Sequence, residues 1–317
     1  MIAAARWRFP TEWCHADRMD AGTLATEVTP EIAKARGPIA CRVRSAAGHE
    51  LAADFFRPEG DASGAVLIVP AMGVTQTFYA PLAQWLATRG YCVATFDYQG
   101  MGRSLLGKLS DVHANLIDWA ADCAAMIDVL ADEAPGRKLF WIGHSLGGQL
   151  LPLVANGRRL AKAVTISAGN GYWRYNSPGL KWRVLFLWYV VAPMALPFFG
   201  YFPGKRLGIV GDLPRGAMEQ WRRWCLDPDY LVGAEGPAVR ALFAAVETPL
   251  YSISFTDDEL LSAQSILSLH DFYARAPKQM TRIRPQDAGE HRIGHHGFFR
   301  PRFESSLWRP YLLPALV

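Results

Sequence analysis

The sequence predicts an α/β protein whose mostly parallel β-sheet is flanked by helices. Short, solid apolar runs of the kind that are buried on both faces of a parallel sheet recur along the chain. Stretches with the apolar period of an amphipathic helix lie between those runs. A strand followed by a helix, repeated several times, builds a parallel sheet with right-handed crossovers and helices on both faces.

The composition is that of a globular enzyme rather than of a disordered or nucleic-acid-binding chain. Of the 317 residues, 50% are hydrophobic and 20% are charged, which is enough apolar mass for a sizeable core. The 33 basic and 29 acidic side chains give a formal net charge of +4, and the basic residues form no long run. A phosphate-neutralising stripe is therefore not expected, and neither is a nucleic-acid partner.

The cysteines and the N-terminal residues indicate in which cellular compartment the protein is expected. The five cysteines are widely spaced and include no C-x-x-C pair, which argues against a disulfide framework and against a zinc site. Residues 1–13 carry charges and have no continuous apolar core, so they do not resemble a secretory signal. We expect a cytoplasmic protein that uses no metal and no other cofactor.

Taken in order, the chain starts with a predicted N-terminal arm at 1–37, which shows no clear periodicity. A hairpin of half-buried strands is expected at 39–45 and 50–56, where apolar and polar residues roughly alternate on either side of a turn. The other expected elements are core strands at 65–69, 92–96, 139–142 and 163–166, late strands at 249–254 and 278–284, and helices at 79–88, 116–130, 146–155 and 303–313.

The alternation of strands and helices breaks between two of the core strands. The chain is rich in aromatic residues and prolines from 169 to 248, and a structureless loop of that length is rare. We therefore predict a helical cap at 169–248, inserted between a first part of the core at 38–168 and a second part at 249–317. Aromatic walls with few polar groups bury apolar ligand parts, so a hydrophobic portion of the substrate is expected.

One segment of the predicted cap, 184–204, contains no charge and is long enough to span a membrane. Its prolines, Pro193, Pro197 and Pro203, would break or kink a spanning helix, and core strands flank it on both sides. We therefore expect an apolar lid over a binding site rather than a span, with a lid that lies in a membrane interface as the alternative.

The motif that carries chemistry is Gly-His-Ser-Leu-Gly at residues 143–147, which matches G-x-S-x-G. It directly follows a buried strand and directly precedes a helical stretch, so it occupies a strand-to-helix turn. In such a turn only small residues fit beside the serine, and its hydroxyl stands out from the sheet edge near the N-terminus of the next helix.

Three further segments accompany this motif. Residues 97–104 read D-x-x-G-x-G-x-S, residues 254–261 contain two adjacent aspartates, and residues 294–299 read Gly-His-His-Gly-Phe-Phe. Together with 143–147 they resemble the α/β-hydrolase superfamily, near its esterase, lipase and thioesterase branches. The resemblance runs from residue 65 to the C-terminus without the cap, and it implies the α/β-hydrolase fold. The glycine pair in 97–104 is expected to form a structural turn, because the third glycine and the directly following helix of a dinucleotide loop are missing.

The resemblance implies a Ser-His-Asp constellation, in the chain order of that superfamily. Ser145 would be the nucleophile, and the imidazole that takes its proton would itself be oriented by a carboxylate. Asp258 and Asp257 compete for the acid, and the spacing of the superfamily favours Asp258. His295 and His296 compete for the base, and the position directly after glycine favours His295.

Two main-chain N–H groups are expected to bind the developing oxyanion. Leu146 follows the nucleophile, and Met72 follows the core strand at 65–69, where members of the superfamily usually carry a donor. His144, inside the motif, is expected to pack or to orient the turn rather than to act as a base. His291 is a more distant candidate for the base.

The resulting hypothesis is a serine hydrolase that cleaves a carboxylic ester or thioester with a hydrophobic moiety through an acyl-enzyme. An acyltransferase with the same three residues is the alternative, because the first half-reaction is shared. A non-catalytic binding protein that retains the fold is the third hypothesis, and the complete set of Ser, Asp and His argues against it.

Overall fold

A computed structural model describes residues 37–317, so the predicted arm at 1–37 lies outside the described residues except for its last position. The described strands are β1 (Ile39–Arg44), β2 (Glu50–Phe56), β3 (Gly64–Val69), β4 (Tyr91–Phe96), β5 (Leu139–His144), β6 (Leu160–Ile166), β7 (Tyr201–Phe202), β8 (Leu213–Pro214), β9 (Leu250–Phe255) and β10 (Lys278–Ile283).

Eight of these strands form one sheet in the order β1-β2-β4-β3-β5-β6-β9-β10, and β7 pairs with β8 separately. The predicted hairpin β1–β2 is antiparallel, and β2 continues antiparallel onto β4. From β4 to β10 every neighbouring pair is parallel. The predicted mostly parallel sheet is therefore confirmed.

Helices cover both faces of this sheet. The described helices are α1 (Ala80–Ala87), α2 (Leu116–Glu133), α3 (Leu146–Gln149), α4 (Lys181–Phe186), α5 (Ala192–Phe199), α6 (Gly204–Leu207), α7 (Arg215–Leu226), α8 (Tyr230–Ala234), α9 (Pro237–Ala245), α10 (Ala263–Asp271) and α11 (Gly294–Gly297), with wider π-helical stretches at Leu187–Val191 and Glu304–Leu312.

The alternation of side chains along β3 divides the core into two layers. Ala65, Leu67 and Val69 belong to the cluster that contains α2, whereas Val66 and Ile68 belong to the cluster that contains α1 and the C-terminal helical turns. Because all five side chains are fully buried, β3 reads as a continuous apolar run rather than as an alternating one.

Between β6 and β9 the chain forms α4 to α9 and the β7–β8 pair, all within the segment predicted as a cap. Trp188, Trp224 and Phe243 of this segment are fully or almost fully buried in the same cluster as Trp141 of β5. The segment therefore packs directly on one face of the sheet, and its division from the core as a separate unit stays a prediction.

Two predicted helices differ from the observed ones. The helix expected at 146–155 ends at Gln149 and is followed by a 3-10 turn at Leu151–Leu153, because Pro152 has no N–H to donate to the carbonyl four residues earlier. The closing segment is helical at Glu304–Leu312 but has the wider π geometry, with Pro310 inside it.

The helical segment Lys181–Phe199 continues past Pro193 instead of breaking there. Its π-helical turn precedes that proline, and the Ala192 N–H bonds the carbonyl of Leu187, five residues back. In this wider register the carbonyl of Trp188 faces the position of Pro193, which has no N–H, and the Arg222 guanidinium donates to that carbonyl instead.

Candidate active site

Ser145 lies at the tip of a sharp turn between β5 and α3. Its backbone has φ 49° and ψ −112°, a conformation that costs on the order of 1–3 kcal/mol for a residue other than glycine. The Ser145 N–H donates to the carbonyl of Ile166 on the neighbouring strand β6 at 2.9 Å, and the Ser145 carbonyl accepts from Gly148 N–H at 3.0 Å. These bonds hold the strained turn in place at the carboxyl edge of the sheet.

The two glycines of the motif are required by close approach of backbone to backbone. A Cβ at Gly143 would lie 2.5 Å from the carbonyl oxygen of Gly147, across the turn. A Cβ at Gly147 would overlap the carbonyl oxygen of Val69 at the end of β3. Ser145 therefore sits in a turn that any larger neighbour would force open.

Asp258 and His295 form a buried pair next to this turn. Asp258 follows β9, and its carboxylate contacts His295 Nδ1 at 2.9 Å and 3.1 Å through its two oxygens. One carboxylate oxygen also accepts the N–H groups of Leu260 and Leu261, each at 2.9 Å. Since a carboxylate only accepts, the proton lies on Nδ1, and the Nε2 atom of His295 is left as a base.

The two buried charges shift each other's pKa. Burial alone would lower the pKa of His295, but the Asp258 carboxylate, with a smaller contribution from Glu259, outweighs burial and raises it. Burial alone would raise the pKa of Asp258, but His295 and the two main-chain donors outweigh burial and lower it. The pair is thus arranged to stabilise an imidazolium beside a carboxylate.

The loop that carries His295 is held by the two carboxylates on either side of Asp258. Asp257 accepts the N–H groups of Ile293 and Gly294 at 2.8 Å and 3.0 Å. Glu259 accepts the N–H of His295 itself at 3.1 Å. The adjacent aspartates therefore point to different partners, one to the main chain of this loop and the other to the imidazole.

Ser145 and His295 line the same cavity, whose volume is about 90 Å³. Within residues 37–317, no hydrogen bond joins the Ser145 hydroxyl to His295. Hydrogen bonds between a nucleophile and its base are often long until the substrate binds. The remaining wall is mostly apolar and comes largely from the segment between β6 and β9. It is formed by Gln149, Gly171, Asn176, Leu180, Val184, Leu187, Trp188, Ile209, Trp221, Cys225, Tyr230, Leu260 and Leu261.

The two predicted oxyanion donors lie after neighbouring strands of the sheet. Leu146 is the first residue of α3, directly after Ser145, and Met72 follows β3, the strand next to β5. Both side chains are buried, and neither residue is part of the cavity wall. The main-chain N–H of Leu146 belongs to the first turn of α3, which leaves it without an intrahelical partner.

His144 belongs to a buried series of hydrogen bonds that runs from Ala71, after β3, to His295. The Ala71 N–H donates to the Tyr79 hydroxyl at 2.8 Å, which is 2.9 Å from His144 Nδ1. His144 Nε2 lies 3.1 Å from the carbonyl of His295. A carbonyl only accepts, so the proton is on Nε2, and Nδ1 accepts from Tyr79. Burial, with His296 and His295 nearby, holds the pKa of His144 well below its usual range.

The other histidines of the C-terminal loop occupy different surroundings. His296 packs edge-to-face against Phe78 and His144, with ring centroids 6.2 Å and 5.2 Å apart. Burial and the neighbouring His295 lower the pKa of His296 to about 3. His291 is exposed. Of the three candidates for the base, only His295 contacts a described carboxylate side chain through its ring nitrogen.

The stretch at 97–104 forms a turn that braces the sheet edge. The buried Asp97 carboxylate accepts main-chain N–H groups from Gln76 and Arg103. Gly102 has φ 44°, and a Cβ there would overlap that carboxylate. Ser104 donates to the Asp97 carbonyl at 2.6 Å and accepts the N–H of Ala52 at 2.8 Å. The side chains of Asp97 and Ser104 thus bond the main chain of this motif, and Ser104 also bonds the main chain of β2.

Comparisons with known proteins agree on the architecture. A family model described as serine aminopeptidase, S33, matches residues 60–195. The structure is similar to an esterase from Pyrococcus furiosus, with a TM-score of 0.58 and 15% sequence identity over 93% of this chain and 95% of that one. The structure has the α/β-hydrolase fold.

Two other solved α/β-hydrolases show the same likeness. A soluble variant of monoglyceride lipase from Saccharomyces cerevisiae has a TM-score of 0.57 and 16% identity, over 80% of this chain and 88% of that one. A thermostable carboxyl esterase from Bacillus coagulans has a TM-score of 0.55 and 13% identity, over 78% and 90% of the two chains. At these identities the likeness establishes the fold.

Several residues of the α/β-hydrolase site have no sequence signal. Tyr79 bonds His144 from a position that no motif marks, and Glu259, beside the two aspartates, accepts the main-chain N–H of His295. Gln149 and Tyr230 bond each other at 3.0 Å in the cavity wall. In the described part of the chain no three His, Cys, Asp or Glu side chains are grouped so as to hold a metal ion, and the four described cysteines are free thiols.

Proposed function

We propose that this α/β-hydrolase is a serine hydrolase of carboxylic esters or thioesters that carry a hydrophobic moiety. The observation that supports it best is the buried Asp258–His295 pair, because His295 lines the same cavity as the strained Ser145. A carboxylate on Nδ1 fixes the tautomer that leaves Nε2 free to take a hydroxyl proton.

In the proposed reaction, Ser145 Oγ attacks the ester carbonyl carbon while His295 Nε2 accepts the hydroxyl proton. The carbonyl oxygen becomes an oxyanion that accepts from the main-chain N–H groups of Leu146 and Met72, each worth about 3 kcal/mol in comparable sites. The tetrahedral intermediate collapses, and the leaving alcohol or thiol takes the proton from His295. Water then attacks the acyl-enzyme by the same route, which releases the acid and restores Ser145.

The cavity wall supports a hydrophobic substrate. Leu180, Val184, Leu187 and Trp188 face the cavity from the segment between β6 and β9, and the polar groups in the wall are few. Apolar walls with a small number of oriented polar groups are typical of small-molecule sites. The scissile group would lie at Ser145, with its apolar portion against this wall.

The test is a Ser145→Ala variant assayed with p-nitrophenyl esters of increasing chain length. We expect a loss of at least about a thousandfold in kcat with an unchanged unfolding midpoint, because the covalent step is removed while the fold remains. Ser110→Ala, in a different cleft, is the matched control and should keep full activity.

Labelling with a fluorophosphonate probe gives a second measurement. The wild-type protein and Ser110→Ala should be labelled, and Ser145→Ala should not. Wild-type rates in the Ser145→Ala protein would contradict the proposal. Product analysis in the presence of added alcohols separates hydrolysis from acyl transfer, since a transferase would form new esters in place of the free acid.

A further inference from the structure

The helical segment Lys181–Phe199 has two apolar faces. Its inner face packs in the core, where Val184, Leu187, Trp188 and Leu196 are buried. A surface helix normally turns a polar face to the solvent. This one is apolar on its outer face as well, and large side chains on that face are exposed.

The outer face carries a row of exposed side chains, which we name the apolar ridge: Trp182, Phe186, Tyr189, Met194 and Phe198. Their spacing of three to five residues places them on one side of the helical segment. Trp182 is 77% exposed and Phe198 is 84% exposed. Contiguous exposed side chains of this size, with aromatic residues at both ends of the row, mark an interaction surface rather than ordinary solvent-facing surface.

Basic residues lie at both ends of the apolar ridge. Lys181 and Arg183 lie at its N-terminal end, and the exposed Lys205 and Arg206 follow its C-terminal end. The sequence has no Asp or Glu between residues 133 and 212. Tryptophan and other aromatics flanked by basic residues on an amphipathic helix match a bilayer interface, where the rings enter the headgroup region and the cations meet anionic lipid.

The ridge and the candidate active site share one helical segment. The inner face of Lys181–Phe199 forms part of the cavity wall beside Ser145, while its outer face carries the apolar ridge. The cavity volume is about 90 Å³, less than the roughly 300–1,000 Å³ of typical ligand pockets.

We propose that the apolar ridge docks on the surface of a bilayer that contains anionic lipid. The helical segment lies in the plane of the interface with its inner face still in the core, so it does not span the membrane. The ridge residues insert into the headgroup region, and Lys181 and Arg206, at the two ends of the ridge, contact the anionic headgroups. This surface is independent of the proposed hydrolysis, since none of the ridge residues belongs to the Ser145 site.

The experiment is flotation of the full-length protein with phosphatidylcholine vesicles, prepared with and without phosphatidylserine. The test variant carries Trp182→Ser and Phe198→Ser. The matched control carries Leu242→Ser and Leu267→Ser, two exposed leucines outside the ridge. We expect the wild type and the control to bind vesicles that contain phosphatidylserine, with weaker binding at higher salt. The ridge variant should lose at least about tenfold in partitioning, because each large apolar side chain contributes when it leaves water.

Three results would overturn the proposal: a wild-type protein that stays with the soluble fraction, a ridge variant that binds like the control, or a wild type that is dimeric in solution while the ridge variant is monomeric. Hydrolysis of a soluble p-nitrophenyl ester is measured on the same preparations. A failed esterase assay therefore bears on the proposed function alone, and a failed flotation assay on the apolar ridge alone.

Discussion

Asp257 and Asp258 are adjacent in sequence, but their carboxylates bond different groups because the two side chains point in different directions. The Asp258 side chain contacts the His295 ring, whereas the Asp257 side chain accepts two main-chain N–H groups of the loop before it. Spacing along the chain favours Asp258 but cannot fix which way either side chain turns, because residues one apart after a strand point to different sides.

Replacing these aspartates one at a time separates their roles. We expect Asp258→Asn to lower kcat by about ten-thousandfold, because the imidazole loses the partner that fixes its tautomer. Asp257→Asn should cost less than tenfold, since an amide oxygen can still accept the main-chain N–H groups. Steady-state kinetics with one ester check both. Equal losses in the two variants would contradict the assignment.

The same pair fixes the pH dependence. His295 must be neutral to act as a base, and the Asp258 carboxylate raises its pKa above the ordinary 6.5. The wild-type kcat/KM should therefore fall with decreasing pH, with a midpoint above 6.5. In Asp258→Asn the raising influence is removed while burial remains, so the midpoint of the residual activity should move to lower pH. A midpoint that stays in place would show that another group titrates.

The series of hydrogen bonds from Ala71 through Tyr79 and His144 to His295 predicts that Tyr79 helps to position the histidine loop without contacting the reacting atoms. Tyr79→Phe leaves a buried N–H and a ring nitrogen without their partner. We expect kcat to fall about tenfold with KM unchanged, as for a buried group worth about 1–3 kcal/mol. Tyr91→Phe is the matched control, because its hydroxyl bonds the carbonyl of Leu316 at the far end of the chain. Equal losses of kcat in both variants would show a general effect of removing a buried hydroxyl.

At the scale of elements, the turn between β5 and α3 depends on glycine. Gly147→Ala should lower the free energy of unfolding by about 1–3 kcal/mol or more, because the added methyl meets the backbone of β3 and not a flexible side chain. Gly157→Ala is the control, since a Cβ there makes only ordinary contacts, the nearest at 3.5 Å. Urea unfolding measures both. A Gly147→Ala protein as stable as the control would show that the turn tolerates a side chain.

The strands could be predicted from sequence because their signal is local. β3, β5 and β6 are buried on both faces, and a run of apolar side chains marks such a strand wherever it lies. The same holds for the turn at Ser145, since G-x-S-x-G after a buried strand specifies its own geometry. The catalytic roles assigned to Ser145, Asp258 and His295 stay a prediction.

The helical geometry between β6 and β9 could not be predicted in the same way. Pro193 predicts a break, yet the helix continues because a π-helical turn shifts the hydrogen-bond register and a distant arginine, Arg222, satisfies the carbonyl that the proline leaves. Tyr79 and Glu259 were missed for a related reason. Each acts through a contact with residues far away in sequence, and no local pattern records such a contact.

At the scale of the whole molecule, one buried carboxylate outside the site affects stability. Asp122 of α2 accepts the N–H of Gln99 at 2.9 Å, and burial raises its pKa from 3.8 to about 7. The folded state therefore holds this proton more tightly than the unfolded state, so its contribution to stability falls as pH rises from about 4 to about 7.

Asp122→Asn removes this titration while keeping an acceptor for Gln99. The variant should be more stable than the wild type above pH 7, by up to about 4 kcal/mol, and the difference should shrink toward pH 4. Urea unfolding at several pH values measures the difference. Asp132→Asn, an exposed aspartate on the same helix, should show no such trend. A difference independent of pH would contradict the assignment to Asp122.

The apolar cluster that joins β5 to α7 through Trp141 and Trp224 limits how this scaffold can be re-engineered. Replacing the residues between β6 and β9 with the equivalent segment of another protein of the same fold would place side chains against β5 that do not match its surface. Such chimaeric proteins would have voids or clashes where α7 packs on β5, unless the side chains of both elements were exchanged together. We therefore expect the substrate range of this scaffold to change through coordinated replacements in β5 and in the segment between β6 and β9, rather than through exchange of the whole segment.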